Sequence, residues 1–132
     1  RVKAEARTFG YIKNLNGRRR WFLEGLTLDR DGEFERAAVN MPIQSLNADI
    51  IKLAMATCSA TLARRGWLGE RARLVLSIHD ELLFEVADGI LEDAAQLLVR
   101  DMEGAYKLSV PLTVEVKRGK NWGDLEATTL HR

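Results

Sequence analysis

Residues 74–86, Leu-Val-Leu-Ser-Ile-His-Asp-Glu-Leu-Leu-Phe-Glu-Val, constrain the fold more than any other stretch. Two apolar, β-prone runs flank the charged tripeptide His79-Asp80-Glu81. Such runs read as buried strands, and the break between them reads as a tight turn. The hairpin that this predicts holds Asp80 and Glu81 at a rigid tip. Carboxylates fixed on a stiff element suit a hard divalent cation such as Mg²⁺. A polar hairpin tip without a ligand is the commoner use of such a pattern, because Asp is an ordinary turn residue. The absence of a turn glycine and the strongly apolar flanks weigh against that plainer use.

At 132 residues the chain is sized for one domain or for a piece of a larger one. It is 46% hydrophobic and 30% charged, the range of globular proteins. No apolar run reaches membrane-spanning length and the first residues lack a signal-peptide pattern, so no membrane partner is expected. Cys58 is the only cysteine, which excludes an internal disulfide and fits a reducing, cytoplasmic setting. The net charge of +1 does not announce a nucleic-acid binder. Basic clusters exist locally, at Arg18-Arg19-Arg20, Arg64-Arg65, Arg71 with Arg73, and Lys117-Arg118 with Lys120. Each is as readily solvated surface as a phosphate contact.

Periodicity orders the rest. Val2, Ala6, Phe9 and Ile12 predict a helix over 1–16, with Gly17 as its stop. A short apolar piece over 21–28 ends at Asp29-Arg30-Asp31-Gly32, which reads as a turn, since its glycine position and lack of a closing Glu do not fit a calcium loop. A helical segment runs from Glu33 to about Asn40 and is interrupted by Pro42. A long helix over 45–65 follows, with the apolar stripe Leu46, Ile50, Leu53, Ala54, Thr57, Cys58 and Leu62, and Gly66 stops it. A further helix over 90–106 buries Leu91, Ala94, Ala95, Leu98, Met102, Ala105 and Tyr106 and wets Glu92, Asp93, Gln96, Arg100 and Glu103. Residues 110–117 alternate as a half-buried strand. The fold class is α+β, an antiparallel sheet packed against long helices. Three strands make a narrow sheet for so apolar a hairpin, so a neighbouring strand is missing and an edge stays open.

A second stretch, Arg36-Ala-Ala-Val-Asn40-Met-Pro42-Ile-Gln44, places Arg36, Asn40 and Gln44 on one helical face. All three donate hydrogen bonds, as contacts to phosphates and base edges require. A capping network for the long helix is the plainer reading.

Together, 36–44, Ala48-Asp49-Ile-Ile-Lys52-Leu-Ala-Met55 and Ile78-His79-Asp80-Glu81-Leu-Leu-Phe-Glu85-Val resemble the C-terminal part of family A DNA polymerases, the bacterial DNA polymerase I group. Gly10-Tyr11 with Gly17-Arg18-Arg19-Arg20 upstream fits the same family. So do Val110-Pro111-Leu112, Val114-Glu115-Val116 and Asn121-Trp122 downstream. The resemblance spans nearly the whole chain, in order.

That resemblance implies that Asp80 is one of two aspartates holding catalytic Mg²⁺ ions, that Glu81 supports the site, and that His79 lies near the primer terminus. It implies that Arg36, Asn40 and Gln44 grip the primer–template. Residues 1–32 are then the end of the fingers subdomain with a connecting loop, and 33–132 the C-terminal part of the palm. Implied partners are the DNA primer–template, deoxynucleoside triphosphates and the remainder of the polymerase.

The chain departs from the family at Ser45-Leu46-Asn47, where Gly-Thr-Ala is usual, and in the loop after Arg20, which lacks its usual proline. The family's first metal-binding motif, the nucleotide-binding helix and the thumb have no counterpart in these residues. The chain is therefore expected to be an excised piece, or the product of a split or truncated gene. Alone, it is expected to be inactive and to self-associate through the open strand edge. The competing possibility is a non-catalytic DNA-binding remnant. A His-Asp metal hydrolase is a poor fit, because His79 and His131 are the only histidines.

Overall fold

The structure, a computed structural model, describes residues 1–22 and 32–129. They form two compact units, Arg1–Asp49 and Ile50–Arg132.

In the first unit, helix α1 (Val2–Phe9) stops at Gly10. Its φ of 69° is left-handed, and its N–H donates to the Ala6 carbonyl at 2.9 Å. Glycine reaches that backbone without a Cβ clash, so the helix expected over 1–16 ends early. Ile12 falls instead in strand β1 (Tyr11–Lys13), which pairs antiparallel with β2 (Arg19–Trp21). Gly17, the expected helix stop, lies in the loop joining the strands, also at positive φ. The core of this unit is Ala6, Ile12, Phe22, Phe34, Ala38 and Met41. Of the apolar piece 21–28 and the turn 29–32, only Trp21, Phe22 and Gly32 are among the described residues.

Pro42 does not interrupt the next segment. Helix α2 runs unbroken from Glu33 to Arg64 with Pro42 inside it. Proline removes one helical hydrogen bond and crowds the preceding turn, at a cost of about 3 kcal/mol, yet its fixed φ is itself helical. Phe34, Ala38 and Met41 are buried on the turns before it, which holds the backbone in register. Ser45, expected to begin a helix, is mid-helix, and its hydroxyl reaches Met41 Sδ at 3.8 Å.

Asp49 closes the unit. It is buried on α2 and accepts Asn14 Nδ2 at 2.7 Å and Arg18 Nε at 2.8 Å. Asn14 Oδ1 in turn accepts the backbone N–H groups of Asn16 and Arg18, at 2.9 and 3.0 Å. The β1–β2 loop is thus tied to α2 by one buried amide and one charged pair.

In the second unit α2 ends before Gly66, at φ 66°, with Trp67 N–H on the Leu62 carbonyl at 2.9 Å. Strands β3 (Ala72–Ile78) and β4 (Glu81–Val86) form the expected hairpin. A 3-10 turn, Asp88–Ile90, leads into helix α3 (Leu91–Glu103), shorter at both ends than the expected 90–106. Cys58, Leu62, Ala72, Ile90 and Leu98 form the core, with Trp67, Phe84, Val86 and Met102 packed on it. On α2 the buried positions here are Ala54, Cys58, Thr61 and Leu62, whereas Leu53 and Thr57 of the expected stripe are exposed. The Cys58 thiol points at the Leu98 carbonyl, at 3.9 Å. Burial first, and then the charge of Asp101, push its pKa up to about 11, so it packs as an inert small apolar group. Asp101 is itself buried, with Oδ1 paired to Arg100 and Oδ2 unpartnered.

The expected strand over 110–117 is mostly absent. Only β5 (Val116–Arg118) forms, paired with β6 (Glu126–Thr128) rather than with the hairpin. Burial still alternates at Leu112, Val114 and Val116, so the pattern records a half-buried segment without a ladder. The chain is α+β, but its strands make three two-stranded sheets among the described residues, not one.

Asp49 ties stability to pH. Hydrogen bonds from Arg18, then from Asn14, hold its carboxyl down at about 2, against an ordinary 3.8. A lowered folded-state pKa contributes stability above the ordinary value, lost as pH falls through the folded one. Asp49→Asn should therefore flatten the drop in thermal midpoint between pH 3.8 and about 2. An acid limb unchanged by the substitution would remove Asp49 as its cause.

Candidate functional site

The β3–β4 hairpin is anchored through one face. Ala72 pairs with Val86 and Leu74 with Phe84; Ala72 lies in the core, and Phe84 and Val86 pack on it. The register then slips at Val75, so that Leu76 pairs with Leu83, Ser77 with Leu82 and Ile78 with Glu81. A bulge adds one residue to one strand and shifts the alternation of its faces. Beyond it, Leu76 and Ile78 share a face with Leu83 and Glu81 rather than with Phe84 and Val86. Val75 and Leu76 are consequently 49% and 39% exposed. Arg73 Nε bonds Glu85 Oε2 across the base at 2.7 Å.

Ile78 opposite Glu81 leaves a two-residue loop, His79-Asp80. His79 has φ 53°, and it is the one non-glycine residue at positive φ among those described. Two-residue hairpin loops favour positive φ because it matches the twist of the strands, and glycine normally supplies it. A side chain there costs about 1–2 kcal/mol. Such strain persists where the surroundings over-determine the backbone, and it gathers at functional sites. The hairpin therefore turns in two residues although the expected turn glycine is absent. His79, Asp80 and Glu81 are all exposed, Asp80 in the turn and Glu81 opening β4.

These residues test the fit to a divalent ion. Asp80 offers hard oxygen donors in a two-residue turn, and Glu81, the next residue, adds a second carboxylate. Among the described residues no group of three or more His, Cys, Asp and Glu side chains is placed to hold a metal. Mg²⁺ needs few protein ligands and takes the rest from water and phosphate oxygens, so the donor set suits a shared site rather than a closed cage.

The second set lies in the other unit. Arg36, Asn40 and Gln44 are exposed at four-residue intervals on α2, alternating with the buried Phe34, Ala38 and Met41. The Arg36 N–H bonds the Gly32 carbonyl at 3.1 Å. Because α2 passes through Pro42, these are interior helix positions, and there is no helix start at Ser45 for them to cap. The Asn14–Asp49–Arg18 network was not legible in the sequence, since its members lie 31 and 35 residues apart. The only available signal was a run of arginines next to a turn.

A sequence profile described as DNA polymerase family A matches residues 1–124. DNA polymerase I of Treponema pallidum is 40% identical over 128 residues, covering 93% of this chain and 12% of its own length. DNA polymerase I of Deinococcus radiodurans is 45% identical over 122 residues, covering 89% of this chain and 12% of its own. Among solved structures, the POL domain of Pol1 from M. smegmatis, in complex with DNA primer-template and dNTP, superposes with a TM-score of 0.87 at 41% identity. That match covers 94% of this chain and 22% of the other. The chain therefore spans about an eighth of the length of these curated relatives. With the profile covering almost all of it, the chain belongs to DNA polymerase family A.

Proposed function

We propose that this chain works in template-directed DNA synthesis as the part of a family A polymerase that carries the His79-Asp80-Glu81 hairpin. The observation that carries the proposal is the two-residue turn that holds Asp80 exposed on a core-anchored hairpin. Residues 1–32 are assigned to the end of the fingers and 33–132 to the palm.

In the reaction the primer 3′-oxygen forms a bond to the α-phosphorus of a deoxynucleoside triphosphate. The bond to the bridging oxygen breaks, pyrophosphate leaves, and the hydroxyl proton passes to solvent. Asp80 would hold part of the coordination of Mg²⁺, and the ion would supply positive charge that favours deprotonation of the hydroxyl and offsets charge on the leaving group. Asp80 supplies oxygen ligands from a fixed position. Glu81 adds negative charge beside it, and His79 lies against the primer end. Arg36, Asn40 and Gln44 donate to the backbone and minor-groove acceptors of the primer–template, which are present at every base pair.

Asp80→Ala in the full polymerase should nearly abolish primer extension and leave DNA binding largely intact. Near-normal extension by that variant would take Asp80 out of the metal site. Replacing Arg36 or Gln44 with Ala should weaken primer–template binding or its extension by about 1–3 kcal/mol, the scale of one lost specific contact. Gel-shift titration and single-turnover extension separate the two, and unchanged values in both would assign these donors to ordinary solvated surface.

The 132-residue chain on its own should not extend a primer. One hairpin carboxylate pair cannot replace a site shared with a second aspartate. The exposed Val75 and Leu76 on a two-stranded sheet favour pairing with another edge, so the chain should self-associate. Primer extension and light scattering check both points, and robust extension by a monomer would refute them. Extension restored by adding the rest of the polymerase would exclude a purely DNA-binding remnant.

A further inference from the structure

The β1–β2 hairpin carries a surface that the chemistry above does not use. Tyr11 stands opposite Trp21, and Lys13 opposite Arg19. Opposite residues share a face, and so do residues two apart, so all four project from the same side of the ribbon. Ile12, on the other side, is buried in the core. Tyr11 and Trp21 rings meet edge to face at 4.9 Å, and Phe9 extends the aromatic row at 6.0 Å from Tyr11. Trp21 is 55% exposed and Phe9 59%.

The cations are arranged on this row. The Arg19 guanidinium lies 4.8 Å from the Tyr11 ring centroid and Lys13 Nζ lies 5.6 Å from it. On the other side of the ribbon, opposite Ile12, Arg20 lies over Phe22 at 5.2 Å and is not part of this row. Like charges directly opposite one another destabilise a strand pair. Residues 11–21 nevertheless contain Lys13, Arg18, Arg19 and Arg20 and no acidic residue. Among the described residues, Arg18 is the one of these paired with a carboxylate, that of Asp49. Lys13, Arg19 and Arg20 lie over rings and have no carboxylate partner among the described residues, which leaves them available to an anion.

We propose that this face binds an unpaired DNA strand, with a base stacked on the exposed Trp21 beside the half-buried Tyr11 and its flanking phosphates on Lys13 and Arg19. Exposed aromatic rings beside unpaired cations are the combination that single strands require, because every base offers a π-face and every linkage a charge. A duplex keeps its bases stacked on each other and would meet only the cations, and an acidic peptide would leave the rings unused. The proposal rests on the polymerase reading only in taking the template ahead of synthesis as the natural source of that strand.

The test uses the full polymerase and measures binding by fluorescence anisotropy. The probes are a blunt duplex, the same duplex with a 5′ overhang of about ten thymidines, and one with an abasic overhang of equal length, a size within the usual single-strand footprint. The wild type should bind the thymidine overhang about tenfold tighter than the abasic one, as expected for a stacked base. Trp21→Leu keeps an apolar side chain opposite Tyr11 and should abolish that difference while leaving blunt-duplex affinity unchanged. Lys13→Gln with Arg19→Gln should weaken both overhangs and reduce the salt dependence of their binding. Equal wild-type affinity for the two overhangs would overturn the proposal, as would a Trp21→Leu loss equal on all three probes. Failure of the polymerase reading itself would show as absent extension by the wild type, which these binding ratios do not depend on.

Discussion

One helix has to bury residues in two different cores. The N-terminal half of α2 gives Phe34, Ala38 and Met41 to one, and its C-terminal half gives Cys58 and Leu62 to the other. Both cores are small, and neither forms without its share of this helix. The continuity of α2 through Pro42 is therefore the constraint behind the rest. It keeps Arg36, Asn40 and Gln44 on interior turns of a helix, and it places Asp49 where the β1–β2 loop can close on it. The lost hydrogen bond and the crowding at proline cost about 3 kcal/mol, comparable to burying one or two large apolar side chains. Phe34 and Met41 alone offset it.

The same balance explains which features could be read from sequence. The hairpin at 74–86 was legible because its apolar runs are long and the charged break is short. The stop at Gly66 was legible because the helical pattern ended with it. Pro42 reads as a break because the local rule is blind to Phe34, Ala38 and Met41, buried on the turns before it. Gly17 misled for the opposite reason, since Gly10 already satisfies the left-handed position and Ile12 fits a strand as well as it fits a helix. Strand β6 carries little apolar pattern, and its pairing with β5 is set by the turn around Asn121, whose side chain accepts the Gly123 N–H at 2.9 Å.

The candidate site divides in the same way. Its residue types and the turn around Asp80 were legible from a local window of sequence. The φ of His79 was not, because nothing in the sequence marks a histidine for left-handed backbone. That Arg36, Asn40 and Gln44 share one helical face was legible from their spacing, whereas the burial of Phe34, Ala38 and Met41 around them was not. The Asn14–Asp49–Arg18 network was invisible, because a lone Asp on a helix reads as solvated until the loop that covers it is known.

The slip at Val75 has a consequence for how this hairpin can change over time. Apolar side chains of similar volume are interchangeable at Leu74, Leu76 and Leu83 with modest repacking. The number of residues between Leu74 and the turn is not adjustable in that way. Losing Val75 would make the ladder regular, with Leu76 still opposite Leu83, and would remove the bend and added twist that a bulge gives the strand leading to Asp80. The segment is thus permissive toward substitution and strict toward insertion or deletion: its length, more than its composition, aims the carboxylate.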